Sequence, residues 1–128
     1  MEVLEDPQAQ PTKNFAAWRA AAELLGELKA TSAISILVAH LDYNDGAVGL
    51  SLSHFPAVEA IIRIGEPAVP ELIRALSSER SAVRSNAARA LGEIGGFLSR
   101  EALQKSLQTE IDPEVRFYIQ AALSRLKG

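Results

Sequence analysis

Two stretches of the chain place apolar residues at the same intervals. Val83, Ala87, Ala90, Leu91 and Ile94 fall at i, i+4, i+7, i+8 and i+11, and so do Val115, Ile119, Ala122, Leu123 and Leu126. That period belongs to one broad face of an α-helix, since a strand would alternate every second residue. A second amphipathic segment follows each of three such stretches: Ile34, Leu37, Val38 and Leu41; then Val69, Leu72, Ile73 and Leu76; then Leu98, Ala102, Leu103 and Leu107. The pattern predicts helices in pairs.

The pairs repeat. Ala87 to Gly95 lies over Ala21 to Lys29 with Leu-Gly-Glu-aliphatic in register, and the middle and last copies run Ala57 to Gly65 and Val115 to Leu126. The anchors Leu25, Ile61, Leu91 and Leu123 are 36, 30 and 32 residues apart. This self-similarity predicts repeats at about 14–41, 54–77, 80–109 and 112–127, in one repeat domain over 14–128 behind a flexible tail at 1–13. Gly65 and the pair Gly95-Gly96 suit the positive φ of helix ends, and Pro67, Pro70 and Pro113 suit first turns. Asp112 is placed to cap the helix that Pro113 begins.

The segment Gly65-Glu66-Pro67-Ala68-Val69-Pro70-Glu71-Leu72-Ile73-Arg74-Ala75-Leu76, with Val83-Arg84 and Ala87 to Gly95 after it, resembles the HEAT-like repeats named after phycobilin lyase subunits. The resemblance covers roughly residues 14 to 127. It implies an all-α fold, a right-handed α-α superhelix or short α-solenoid of about three and a half helix pairs, roughly seven helices. It also implies a binding surface on the second helices and names no ligand. At the position of Arg84 and Arg116 such repeats commonly join a basic residue to acidic residues of adjacent repeats.

Two places depart from the regular pattern, and one aromatic residue stands out. The segment 42–53 is about six residues longer than its counterpart in the next repeat, and it is apolar: Leu50 and Leu52 either cover neighbouring helix ends or, with Tyr43, form a recognition loop. The fourth pair has only its first helix, so Phe117 and Tyr118 either finish the stack or form a homodimer surface. Trp18, on the first helix, covers the core or anchors a partner.

Composition narrows the chemistry. The 128 residues contain no cysteine, which excludes disulfides, thiolate metal sites and cysteine nucleophiles. No run of about 18 uncharged apolar residues occurs, and Met1 to Asp6 is acidic where a signal peptide is basic and then apolar. The expectation is a cytoplasmic protein off the membrane, or an exported one whose signal peptide has been removed. The net charge is −3, with 3 basic and 8 acidic residues in 1–60 and 10 and 8 in 61–128. That balance does not predict nucleic-acid binding, and a DNA-gripping surface of Trp18, Arg63, Arg84, Arg89 and Arg116 is a remote alternative.

His40 and His54 flank Asp42 and Asp45 without any ligand spacing, and Gly46 and Ser53 stand where a calcium loop needs other residues. No Gly-x-Ser-x-Gly elbow is present. The glycines from Gly92 to Gly96 read as the end of a helix, whereas phosphate sites use the start of one. No metal, cofactor or catalytic residue is expected. The expectation is a non-catalytic scaffold that binds another protein through polar second-helix positions, His40, Glu71, Arg74, Gln104, Lys105 and Gln108, or through the 42–53 loop. An accessory subunit for attaching or detaching a bilin chromophore is the alternative.

Overall fold

The computed structural model of the chain describes residues 15–44 and 51–126. Among the described residues there are seven α-helices and no strand: α1 (Phe15–Glu27), α2 (Ile34–Ala39), α3 (Pro56–Ile64), α4 (Val69–Ala75), α5 (Ser81–Ile94), α6 (Phe97–Thr109) and α7 (Pro113–Arg125). Single 3₁₀ turns, Thr31–Ala33, Leu52–His54 and Glu66–Ala68, lead into α2, α3 and α4. The chain divides into two compact units, Met1–Ile64 and Gly65–Gly128.

In the first unit α3 is the centre, with α1 and α2 packed on it. The approach of α1 to α3 is close because residue 26 is glycine: a Cβ there would stand 2.9 Å from the Ala60 Cα. Trp18, Ala22, Leu37, Leu41, Ala57 and Ile61 are fully buried. Helix α1 ends in paired reverse bonds, Ala30 N–H to Leu25 O and Lys29 N–H to Gly26 O, each 3.0 Å. Lys29 holds the left-handed conformation this cap requires, with φ 49°.

In the second unit α5 packs on α4, α6 and α7. Its contact with α7 repeats the glycine device, since a Cβ on Gly92 would meet Ala122 Cβ at 2.7 Å. The predicted stripes occupy the interior: Val83, Ala87, Ala90 and Leu91 of α5 and Val115, Ile119 and Ala122 of α7 are buried. Asp112 caps α7, accepting from the N–H groups of Glu114 and Val115 at 2.9 and 3.3 Å, and Pro113 fills the first helical position. Pro67 and Pro70 occupy the turn and first turn of α4, where no helical N–H is needed.

Candidate partner-binding face

The second helices of the Gly65–Gly128 unit, α4 and α6, touch each other. Glu71 and Arg74 lie one turn apart on α4 and form an ion pair, with the arginine side chain 68% exposed. Gln104, Lys105 and Gln108 are all exposed on α6. Their periodicity explains this: the helix buries Leu103 and turns these residues outward. Five of the six polar positions expected on the partner face are therefore accessible, and all five belong to one unit.

The sixth is corrected by its burial. His40 is 1% exposed, and its Nδ1 bonds the Ile36 carbonyl oxygen at 2.8 Å. Its ring lies 4.9 Å from Trp18 and 4.5 Å from Tyr43, and Trp18 and Tyr43 are 5.4 Å apart. The cause is register: His40 follows α2 in the phase of the buried positions Leu37 and Leu41. Tyr43, expected as a recognition residue, is 1% exposed in the same cluster and is not presented to a partner. Trp18 is fully buried, as core cover requires, and its Nε1 has no hydrogen-bond partner.

The rest of the long connection is described in part. Leu50 lies outside the described residues; Leu52 is half-buried in the turn before α3. At its start Asn44 Nδ2 donates to Asp42 O at 3.0 Å. On α1, Arg19 donates to Ser53 O at 3.1 Å and ties the connection to that helix. On α7, Phe117 is 63% exposed, while Tyr118 is half-buried beneath the Arg89 guanidinium at 4.5 Å and beside the Phe117 ring at 5.3 Å. Burial lowers the pKa of Arg89 from its ordinary value, opposed by the Tyr118 and Glu114 charges.

Residues 56–124 match the family model of HEAT repeats, and residues 19–43 match that of the PBS lyase HEAT-like repeat. The chain belongs to the HEAT-repeat family. Among curated proteins it is similar to Bilin biosynthesis protein RpcF of Synechococcus sp. (strain WH8020), with 34% identity over 92 residues. That match covers 72% of this chain and 42% of the relative, so the chain spans less than half the length of the protein it matches.

Arg84 meets an acidic residue, Glu110, in the connection between α6 and α7, whereas Arg116 meets backbone carbonyl oxygens. Arg84 grips Glu110 with two bonds of 2.9 and 3.1 Å. Arg116 instead donates to the Leu107 and Glu110 carbonyl oxygens at 2.8 Å each, closing the C-terminal end of α6. No group of three His, Cys, Asp or Glu side chains able to hold a metal occurs among the described residues. No helix among them is long and apolar enough to cross a membrane.

One feature of this HEAT-repeat unit differs from the expectation that these glycines only end a helix. Gly95 does end α5, but Gly96 is the N-cap of α6, so the glycine pair also stands at the start of a helix. The phase of α6 moves with it: Leu98, expected in the apolar stripe, is 59% exposed, and Ser99 is fully buried in its place. Beside this helix start is a groove of about 300 Å³ walled by Glu66, Val69, Pro70, Phe97, Leu98 and Ser99. The sequence signal for it was the doubled glycine, since a single one suffices to end a helix.

Proposed function

We propose that the chain is a non-catalytic interaction module that holds another protein on the polar face of α4 and α6. The observation that carries this reading is the exposure of Arg74, Gln104, Lys105 and Gln108, with half-buried Glu71 beside them, on two touching second helices. Interfaces of this kind take their register from polar contacts and much of their energy from a few large side chains, and exposed Phe97 and Leu98 supply apolar area on the same helix. The test is affinity capture from the source cells, followed by measurement of the captured protein against a variant carrying Arg74→Glu, Gln104→Ala, Lys105→Glu and Gln108→Ala. Binding should weaken about tenfold or more, because two charges reverse at the interface. Undiminished binding to every captured protein, with the variant folded, rules the face out.

A second reading draws on the relative's name and the PBS lyase HEAT-like match: an accessory subunit in attachment or detachment of a bilin chromophore. In this reading the same face holds the other protein of the reaction. Mixing the protein with a free bilin and recording the absorption spectrum tests whether this chain contacts the chromophore. An unchanged spectrum at millimolar protein leaves only the interaction module.

A further inference from the structure

We propose that the groove between the starts of α4 and α6 holds a bulky apolar side chain of a partner segment that carries lysine or arginine beside it. The proposal deepens the interaction-module reading and rests on it.

Two large apolar residues stand in the open here. Phe97 is 73% exposed and Leu98 59% exposed, side by side in the first turn of α6. One repeat earlier, 30 residues back, the same positions are Pro67 and Ala68, and Ala68 is fully buried. The third repeat thus turns a phenylalanine and a leucine to solvent where its neighbour keeps a proline and a buried alanine. A single exposed apolar residue needs no explanation. These two are not single: with Val69 and Pro70 of α4 they wall a groove of about 300 Å³. Pockets for small molecules run from roughly 300 to 1,000 Å³. This one stands at the bottom of that range, a size for one or two side chains and not for a large cofactor.

Charge selects among apolar segments. Glu66 belongs to the groove wall, and no cation does. Glu101 is exposed on α6 one turn after Phe97, and so on the same face. Neither carboxylate has an ion-pair partner among the described residues. The nearest arginines are held elsewhere: Arg74 pairs with Glu71, and Arg100 donates to the Leu126 carbonyl oxygen at the end of α7. Lys105 lies eight residues past Phe97, about 12 Å along the helix, which exceeds the Debye length at physiological salt. The start of α6 contributes the equivalent of about half a positive charge, less than the two carboxylates. An apolar surface bordered by two unmatched carboxylates is complementary to an apolar side chain with a basic flank. An acidic segment of the same shape would meet repulsion, and a neutral one would leave both carboxylates unmatched. The polar positions further along α4 and α6 then meet the rest of the partner.

The probe is the peptide acetyl-Lys-Ser-Leu-Ser-Lys-amide, in which an extended chain sets the leucine and both lysines on one side. It is titrated into the 128-residue protein and followed by amide NMR, beside acetyl-Glu-Ser-Leu-Ser-Glu-amide and acetyl-Lys-Ser-Ser-Ser-Lys-amide. The basic leucine peptide should shift the amides of Glu66, Val69, Phe97 and Leu98. At low salt it should bind about tenfold more tightly than either control, the first lacking the charge match and the second the apolar anchor. Added salt should shrink its advantage over the acidic peptide and keep its advantage over the serine peptide. Glu66→Gln should weaken it about threefold without weakening the acidic peptide. Equal binding by either control, shifts confined to other parts of the protein, or no shift at millimolar peptide each overturns the proposal. The comparison of ligands uses unaltered protein and so decides the matter even where a variant fails to fold. If the peptides fail while the α4 and α6 variant still loses its captured protein, this inference falls and the interaction module stands.

Discussion

A methyl group on Gly92 would lie 2.7 Å from Ala122 Cβ and 2.9 Å from its Cα, and one on Gly26 would lie 2.9 Å from the Ala60 Cα. Neither obstacle is the loose end of a flexible side chain, so the helices themselves must separate. Gly92→Ala and Gly26→Ala should each destabilise the protein by about 2 kcal/mol despite the better helix propensity of alanine, as overpacking does. Denaturant unfolding checks this, and a gain in midpoint would show that the helix pairs yield freely. Lys29 offers the opposite case. It holds φ 49° where Gly65 and Gly95 serve at other helix ends, so Lys29→Gly should stabilise by about 0.5–1 kcal/mol. The recurrence of Leu-Gly-Glu was legible in the sequence, but its purpose was not: periodicity gives the face a residue occupies, and the helix it must admit is a tertiary fact.

At the scale of elements, Glu110 fixes the junction of three helices. Its carboxylate receives Arg84 on two bonds and the Asp112 N–H on a third at 3.1 Å, and its carbonyl oxygen receives Arg116. Arg84 also reaches the Ser78 carbonyl oxygen at 2.8 Å, so α5 is bound to the connection that precedes it and to the connection between α6 and α7. Side-chain exposures of 18% and 8% make this pair poorly replaceable by water. Glu110→Ala should therefore cost about 3 kcal/mol, most of it for the guanidinium left without its carboxylate. A loss below about 0.5 kcal/mol would class the pair with ordinary surface ion pairs. The family resemblance anticipated an acidic partner for Arg84 without naming Glu110, whereas the turn of Arg116 to carbonyl oxygens depends on where α6 ends. The same limit explains Leu98: an apolar residue one position before the true stripe scores well by pattern, and only the N-cap at Gly96 sets the phase. Ser99→Ala, which removes the unpaired hydroxyl, should raise stability by about 1 kcal/mol.

For the whole molecule, helix number and pairing followed from hydrophobic period and internal repeats, while surfaces did not. His40 and Tyr43 were polar or amphipathic residues beside an irregular connection, a description that fits a binding loop and a buried aromatic cluster equally well. Phe117 is the converse, an aromatic ring outside the repeat stripe of its helix that stands 63% exposed. Self-association through Phe117 and Tyr118 is a proposal with a bounded strength. A stable dimer buries about 1,200–2,000 Å² in total, far more than one ring and its neighbours provide. The residues around the ring on α7, Glu114, Gln120, Ala121 and Ser124, are exposed and largely polar, so they add little apolar area. The expected behaviour is a monomer at micromolar concentration whose average mass rises only near the millimolar range, as mass action requires of a weak pair. Sedimentation across that range reads it directly, and Phe117→Ser should flatten the rise while leaving capture by the α4 and α6 face intact. A mass that stays constant to millimolar concentration excludes the dimer, and a dimer already complete at micromolar concentration would require a much larger surface than α7 presents.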